Sequence, residues 1–348
     1  MTIVVNTAVL TSTLRQLRDR YVDQSFKAVP LYAAMERAGN IKKEDGGSYV
    51  EHPISLLEHS IITQISNGNE RINNNTRDIE DSCTFDYCDF IMPVVMKGRE
   101  MRSNKGPRKV IDIAENRLKN VIAMGKREWC KQVVRGDATY LTDLNTLNGE
   151  GINGGAAQNT NGFLELHAFE TGGQSNSVGG VSKATYASNN WNNHVADVNN
   201  NFSSNGEAQM GALVADIQPY LEEGAIDIIL ASSASYKLYR QTLNTREQYQ
   251  SLDARDSMVG KLGLMYNGAM MYIEPNLGFT CADGSTKFSM YFLTSSSFCA
   301  YFDKDAMFAV GEMKETENYD KWQAKVITRT QLATDKLAVH GVLLNAEQ

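Results

Sequence analysis

No apolar run in this 348-residue chain approaches the ~18 residues that a membrane-spanning helix needs. The longest candidates are Ile91 to Met96 and Ile226 to Ala231, the second interrupted by Asp227, so no membrane association is expected. Positive charge is also short. With 34 Lys and Arg against 41 Asp and Glu, the formal charge is −7, and a chain without a global positive field has no general grip on a polyanion. Five cysteines, Cys83, Cys88, Cys130, Cys281 and Cys299, form an odd set with no Cys-x-x-Cys pair. Neither a disulfide framework nor a zinc ribbon is indicated, and a reducing compartment fits best. The apolar start, Met1 to Leu10, has no basic residue ahead of Arg15, so a secretory signal is not expected and the product reads as cytosolic.

Chemical motifs are equally scarce. Gly149, Gly151 and Gly154 spell the dinucleotide fingerprint, but no strand pattern runs into Gly149 and no helix pattern follows Gly155, so a flexible loop is the better reading. Asp197, Asn199 and Asn201 have calcium-loop spacing, yet Phe202 stands where the glycine is needed and Ala208 where the bidentate glutamate belongs, which leaves an Asn-rich turn. Arg135-Gly136-Asp137 falls at the predicted end of a long helix, where the glycine serves as a stop. The five histidines show no HExxH and no i, i+4 pair. His340 alternates with apolar residues of a C-terminal strand and reads as a surface or sheet-edge histidine. Cys83 and Cys88 are an odd number apart within one predicted strand, so they are expected on opposite sides. With no nucleophile elbow, phosphate loop or kinase set either, the expectation is no catalysis, no cofactor and no metal. A soluble hydrolase that uses Asn/Gly-rich loops as a binding rim is the remote alternative.

What the chain does contain is patterned. The composition, 42% hydrophobic and 22% charged, is that of a folded protein, and the length suggests about two domains. Leu14, Leu17 and Tyr21 mark a helix from Thr11, and a shorter one, Leu31 to Arg37, closes at Gly39; together they make an N-terminal arm. Ser48 to Ile62 and Thr84 to Met96 read as two strands joined by the polar stretch Ser66 to Asp81. Such a ribbon is marginal alone, and a neighbouring subunit is the natural source of the surface it needs. From Pro107 to Val134, the residues Val110, Ala114, Leu118, Val121, Ile122, Gly125, Trp129 and Val133 recur at helical spacing. The basic group Arg99, Arg102, Lys105, Arg108 and Lys109 lies at the positive dipole end of this helix.

Between Asn145 and Asn205 there are 14 Asn and 9 Gly among 61 residues, the composition of loops laid over a scaffold. Regular pattern then returns. A helix through Met210, Leu213, Val214 and Ile217 is interrupted at Pro219; Ile226 to Ala231 is a buried strand; Ser232 or Ser233 caps a helix carrying Tyr236, Tyr239 and Leu243. Asn267-Gly268 joins a hairpin of Leu262 to Tyr266 and Ala269 to Ile273, and Ser289 to Leu293 is another strand. Two half-buried antiparallel strands, one through Trp322, Ala324, Val326 and Thr328 and one through Leu337, Val339, Gly341 and Leu343, close the chain around Thr334 to Lys336.

This order of arm, ribbon, long helix, loops, mixed helices and strands, and closing strands resembles the major capsid protein of tailed bacteriophages, with the Hong Kong 97-type shell fold. The likeness rests on Gly179-Gly180-Val181-Ser182-Lys183-Ala184-Thr185 followed by Trp191-Asn192-Asn193, on Ala225 to Ser233 with Tyr236 and Tyr239, on Leu262 to Ala269, on Met290-Tyr291-Phe292-Leu293, and on Gln331 to Leu344. Asn192 departs from it, standing where many relatives have arginine.

The resemblance implies an α+β fold with an arm over 1–40, an extended loop and flanking strands over 41–106, a peripheral domain over 107–138 and 299–348, and an axial domain over 139–298. It implies a non-enzymatic protein whose hexamers and pentamers close into an icosahedral virion shell around packaged double-stranded DNA, enclosed without specific binding. Implied partners are a portal protein at one vertex, a separate scaffolding protein, since no long charged helical segment precedes the arm, and optionally a decoration protein, with assembly in the host bacterial cytoplasm. Glu70, Arg71, Arg77, Asp78 and Glu80 of the ribbon are candidate contacts for Arg99, Arg102, Lys105 and Arg108 of a neighbour; a solvated loop tip is the alternative. An encapsulin-type nanocompartment, which resembles the same fold but encloses an enzyme, is the closest rival.

Overall fold

The computed structural model of the chain describes residues 30–56, 68, 80–103, 107–135, 177–182, 185, 191–221, 225–244, 264–279, 287–312, 314–315 and 319–346, without the side chains of 101–115 and 135. The helix expected from Thr11, the Gly149 motif and nearly all of the ribbon tip lie outside these residues.

Helix α1 (Pro30–Ala38) buries Leu31, Ala34 and Met35 and ends where Gly39 turns left-handed at φ +73°. That turn lets the Asn40 amide donate back to the Met35 carbonyl at 2.9 Å. Strand β1 (Ile41–Glu44) follows, then β2 (Tyr49–Ser55), β3 (Glu80–Asp86), β4 (Cys88–Lys97), α2 (Gly98–Ser103) and the 29-residue α3 (Pro107–Arg135), about 40 Å long at 1.5 Å per residue. Two short strands, β5 (Ser177–Val178) and β6 (Val181–Ser182), make a tight hairpin. Next come β7 (His194–Asp197), α4 (Phe202–Ile217), β8 (Ile228–Ala231), α5 (Ser233–Asn244), β9 (Leu264–Tyr266), β10 (Ala269–Ile273) and β11 (Phe288–Leu293). The chain closes with β12 (Phe298–Asp303), β13 (Ala309–Val310), β14 (Lys314–Glu315), β15 (Lys321–Thr334) and β16 (Gly341–Leu344).

Two six-stranded sheets result. In the first, the 14-residue β15 is the axis: β4 runs antiparallel along one edge, and β12, β13 and β14 share the other, with β1 parallel to β12 outside it. Side chains alternate across a strand, and α3 covers the even-numbered face, where Leu118, Val121 and Ile122 meet Met92, Val94, Ala324, Val326 and Phe308. Gly125 is the point of closest passage, since a Cβ there would strike the Met92 thioether.

The second sheet has the order β7-β16-β11-β8-β10-β9. Its central strands are buried on both faces because the alternation serves two cores. Ile229, Ala231, Met290, Phe292 and Leu343 face α4 and α5, while Ile228, Leu230, Tyr291, Leu293, Val342 and Leu344 face the main core shared with α1, α3 and the first sheet. The mixed helix-and-strand architecture agrees with the α+β expectation.

Local signals hold. Asn201 Oδ1 accepts from the Ser204 amide at the start of α4, after an Asn-rich turn in which Asn199 and Asn200 have φ of 54° and 58°. Ser232 Oγ accepts from the Ser235 amide at 3.1 Å and so caps α5.

Three expectations change. First, the stretch Thr84 to Met96 is not one strand: it breaks at Tyr87, so Cys83 and Cys88 lie on different strands, both buried. Second, the closing strands do not pair with each other; β15 belongs to the first sheet and is half-buried with the expected alternation up to Arg329 but buried on both sides from Thr330, and β16 lies between β7 and β11 in the second sheet and is buried throughout. Third, His340 is fully buried in the link between them. The Thr294 amide donates to its Nδ1 at 3.4 Å, so the neutral ring carries its proton on Nε2 and donates it to Ser297 Oγ at 2.8 Å.

Burial pushes the His340 pKa down to about 3. A depressed histidine contributes stability that is complete above its ordinary 6.5 and lost as pH falls from there toward 3. Glu274, pushed up to about 7 by burial, works oppositely, its stabilising protonated form being lost as pH rises from its ordinary 4.5 through 7. Imidazole 15N spectra are therefore expected to show His340 as the neutral Nε2–H tautomer from pH 7.5 down to 5. A signal titrating near 6.5 assigned to His340 would contradict the buried placement.

Candidate assembly surfaces

Surfaces through which copies could meet are built on the ribbon root, α2 and the uncovered face of the first sheet. At the root, β2 and β3 pair antiparallel from Tyr49–Asp86 to Ser55–Glu80, placing Val50, His52, Ile54, Cys83 and Phe85 on one face. The base of the ribbon was expected to need a neighbour's surface, but its apolar face joins the main core of its own chain.

Several bonds hold the root there. The Thr84 amide donates to the Gly179 carbonyl in the β5–β6 turn at 2.9 Å, and Gln331 Nε2 donates to the Asp86 carbonyl. Arg329 Nη2 donates to the Gly47 carbonyl at 2.7 Å, and its guanidinium stacks 5.0 Å from the centre of the Tyr87 ring. Arg329 also pairs with Asp303 and Asp89. Burial, with Glu44 beside it, pushes the Tyr87 hydroxyl up to about 12.

These contacts fasten the root of the ribbon to the body. Arg117 extends the fastening on the α3 side, donating to the Val95 carbonyl at 2.9 Å and pairing with Glu100 at 2.7 Å. Sequence reasoning named neither Arg329 nor Arg117, because nothing local in a sequence tells an arginine on a solvent face from one that bridges distant strands.

Of the charged contact candidates, Glu80 is exposed at the outer end of β3 and Arg99 is exposed in α2. Glu70, Arg71, Arg77, Asp78 and Lys105, and the side chains of Arg102 and Arg108, lie outside the described residues.

The odd-numbered face of the first sheet carries Ile91, Val95 and Ile327 at 59%, 42% and 38% exposure, with Ile91 directly opposite Ile327 across β4 and β15. Lys97, Lys321 and Lys325 flank them on the same face. Among the described residues, no group of three or more His, Cys, Asp or Glu side chains is placed to hold a metal, and no helix is long and apolar enough to cross a membrane.

No protein-family model matches the chain, and no curated protein sequence does. Solved structures do. The cyanophage A-1(L) capsid protein superposes with a TM-score of 0.64 over 97% of this chain and 99% of that one, at 12% identity. The capsid of Myoviridae phage XM1 gives 0.59 over 96% and 97%, at 10% identity. The fold is the Hong Kong 97-type shell fold. A third structure with this shell fold, the SrpI encapsulin from Synechococcus elongatus, scores 0.50 over 98% of this chain at 10% identity. Coverage near the full length of both partners means that the likeness is to the whole fold rather than to a common subdomain.

Proposed function

We propose that the chain is a major capsid protein, a subunit that assembles with copies of itself into the icosahedral head of a tailed phage and encloses double-stranded DNA without gripping it. The observation that carries this reading is the full-length correspondence with the cyanophage A-1(L) capsid.

In this reading α3 and the first sheet form the peripheral domain, and α4, α5 and the second sheet form the axial domain around five- and six-fold centres. By pairing, the strand β16 goes with the second sheet, so the proposed boundary within 299–348 is placed after β15. The ribbon lies across an adjacent subunit, hexamers and pentamers are the building units, and a separate scaffold and a portal act in assembly within the bacterial cytoplasm. A net charge of −7 suits a container whose DNA is neutralised by counterions.

Electron microscopy of the expressed protein, alone and with a scaffold from the same genome, tests this directly: rings or closed shells are expected, and persistent monomers would refute it. The likeness to the SrpI encapsulin supports a second reading, a nanocompartment, which the contents of purified particles separate; packaged DNA supports the phage reading and a protein cargo the other.

The ribbon gives a sharper prediction. Removing residues 66–79 and closing the gap with a short Gly/Ser turn spares the β2–β3 register, because the pairs from Tyr49–Asp86 to Ser55–Glu80 lie outside the deletion. A folded subunit with unchanged thermal unfolding but no shells is expected. Normal shells from this variant would show that the ribbon is not the strap between subunits.

A further inference from the structure

We propose that His52 is an acid-sensitive latch: its neutral ring holds the root of the ribbon against the body, and protonating it favours release of the ribbon. The inference concerns the subunit itself and stands whether or not the shell reading does.

His52 lies on the inward face of β2, directly opposite Cys83 of β3. Its ring packs against Tyr301 of β12 at 5.6 Å between centroids and against Phe85 at 6.3 Å. It is therefore a side chain of the ribbon inserted among aromatic rings, one of which belongs to the first sheet. Its Nε2 is buried without a hydrogen-bond partner among the described residues. A neutral imidazole tolerates this with its unprotonated nitrogen, whereas an imidazolium would carry an N–H and a positive charge into the same place with nothing to receive them.

Burial holds the His52 pKa below its ordinary 6.5, outweighing the attraction of Asp335 beyond β15 and of Glu44 from β1, while Lys42 of β1 repels a proton and adds to the lowering. Lys42 itself is engaged with Tyr301 and Cys299 of β12, its ammonium 5.5 Å from the Tyr301 ring centre. On β3, Asp81 and Asp335 both act on Cys83, whose thiol burial pushes up to about 12; this keeps the residue facing His52 uncharged. Cys299 is likewise pushed up by burial, so β12 offers no thiolate to stabilise the imidazolium. Asp335, an exposed residue just beyond β15, can answer part of the charge, and partial desolvation of its carboxyl raises its own pKa.

The sign follows. Released, the histidine titrates near 6.5; docked, it titrates lower. The docked ribbon keeps its full advantage above pH 6.5 and loses up to about tenfold in its docking equilibrium for each pH unit below that, until the depressed value is reached. This would couple the position of the ribbon to proton concentration at one residue of its root.

Hydrogen–deuterium exchange of the full chain between pH 7.5 and 5, expressed as protection factors so that intrinsic exchange cancels, tests the latch. Protection of amides in 49–55 and 80–86 is expected to fall severalfold to tenfold or more below pH 6.5, while β8 and β11 in the second sheet stay protected, which separates ribbon release from global acid unfolding. His52→Phe is expected to flatten this response and Asp335→Asn to deepen it. Ribbon protection that does not change with pH, or that falls equally in His52→Phe, overturns the proposal. If His52→Phe misfolds, the 13C-histidine titration of the unmodified chain still decides, because a His52 pKa at or above 6.5 overturns the latch without any variant.

Discussion

Replacing Trp129 with alanine is expected to lower unfolding stability by about 4 kcal/mol, the middle of the range for removing a large buried aromatic. Trp129 is 2% exposed on the last third of α3, where the helix leaves the first sheet's surface and enters the main core. Its ring meets the edge of Tyr32 from α1 at 5.9 Å and the ring of Phe302 from β12 at 5.4 Å. One indole therefore joins the arm, the spine and the first sheet, and alanine would leave a cavity bounded by three separate elements that cannot all close upon it. The indole N–H has no hydrogen-bond partner among the described residues, so its contribution is area and shape rather than polarity. Trp129→Phe should accordingly recover most of the loss, more than a hydrogen-bonded tryptophan would permit. Chemical denaturation with unchanged slope reads both variants. A cost for Trp129→Ala under about 1 kcal/mol would show that α1 and α3 do not share this core.

How far the fold could be read from the sequence depended on how local its cause was. The Asn267-Gly268 hairpin was legible because two residues must take positive φ, as they do at 49° and 85°. The α5 cap at Ser232, the end of α1 at Gly39 and the apolar stripe of α3 have equally local causes. What failed was partner choice. Periodicity marks a strand but not the edge it joins, so β15 and β16 read as neighbours although they serve different sheets, and the run through Tyr87 read as one strand although it passes from the ribbon to the sheet. His340 was misplaced for the same reason: polarity suggests exposure, and the Thr294 amide and Ser297 hydroxyl that satisfy it arrive from more than 40 residues away. The fastening of the ribbon root through Arg329 and Gly179 was not legible either, because it depends on contacts no spacing reveals.

Gly179→Ala is expected to cost about 3 kcal/mol and to loosen the ribbon root, whereas Gly180→Ala, one residue away in the same turn, is expected to cost about 1 kcal/mol. Both glycines occupy left-handed backbone, at φ 59° and 81°, as the two central residues of the β5–β6 hairpin. Each alanine therefore carries a similar penalty for positive φ. Only Gly179 is also pressed against the ribbon: a Cβ there would stand 2.7 Å from Cys83 Cβ and 3.0 Å from Phe85 Cζ, while one at Gly180 would meet Thr84 Oγ1 at an ordinary 3.8 Å. Cys83 and Phe85 are themselves fully buried, so neither can yield without opening the core beneath them. The turn must move instead, and that stretches the bond from the Thr84 amide to the Gly179 carbonyl. The pair forms an internal control in which backbone strain is common and close approach is not. Unfolding stability measures the first quantity, and exchange of the Thr84 amide reports the second. Equal costs at the two positions would mean that the hairpin does not clip the ribbon; a larger cost at Gly179 with faster Thr84 exchange would place part of the rigidity of the ribbon root in a single missing methyl group.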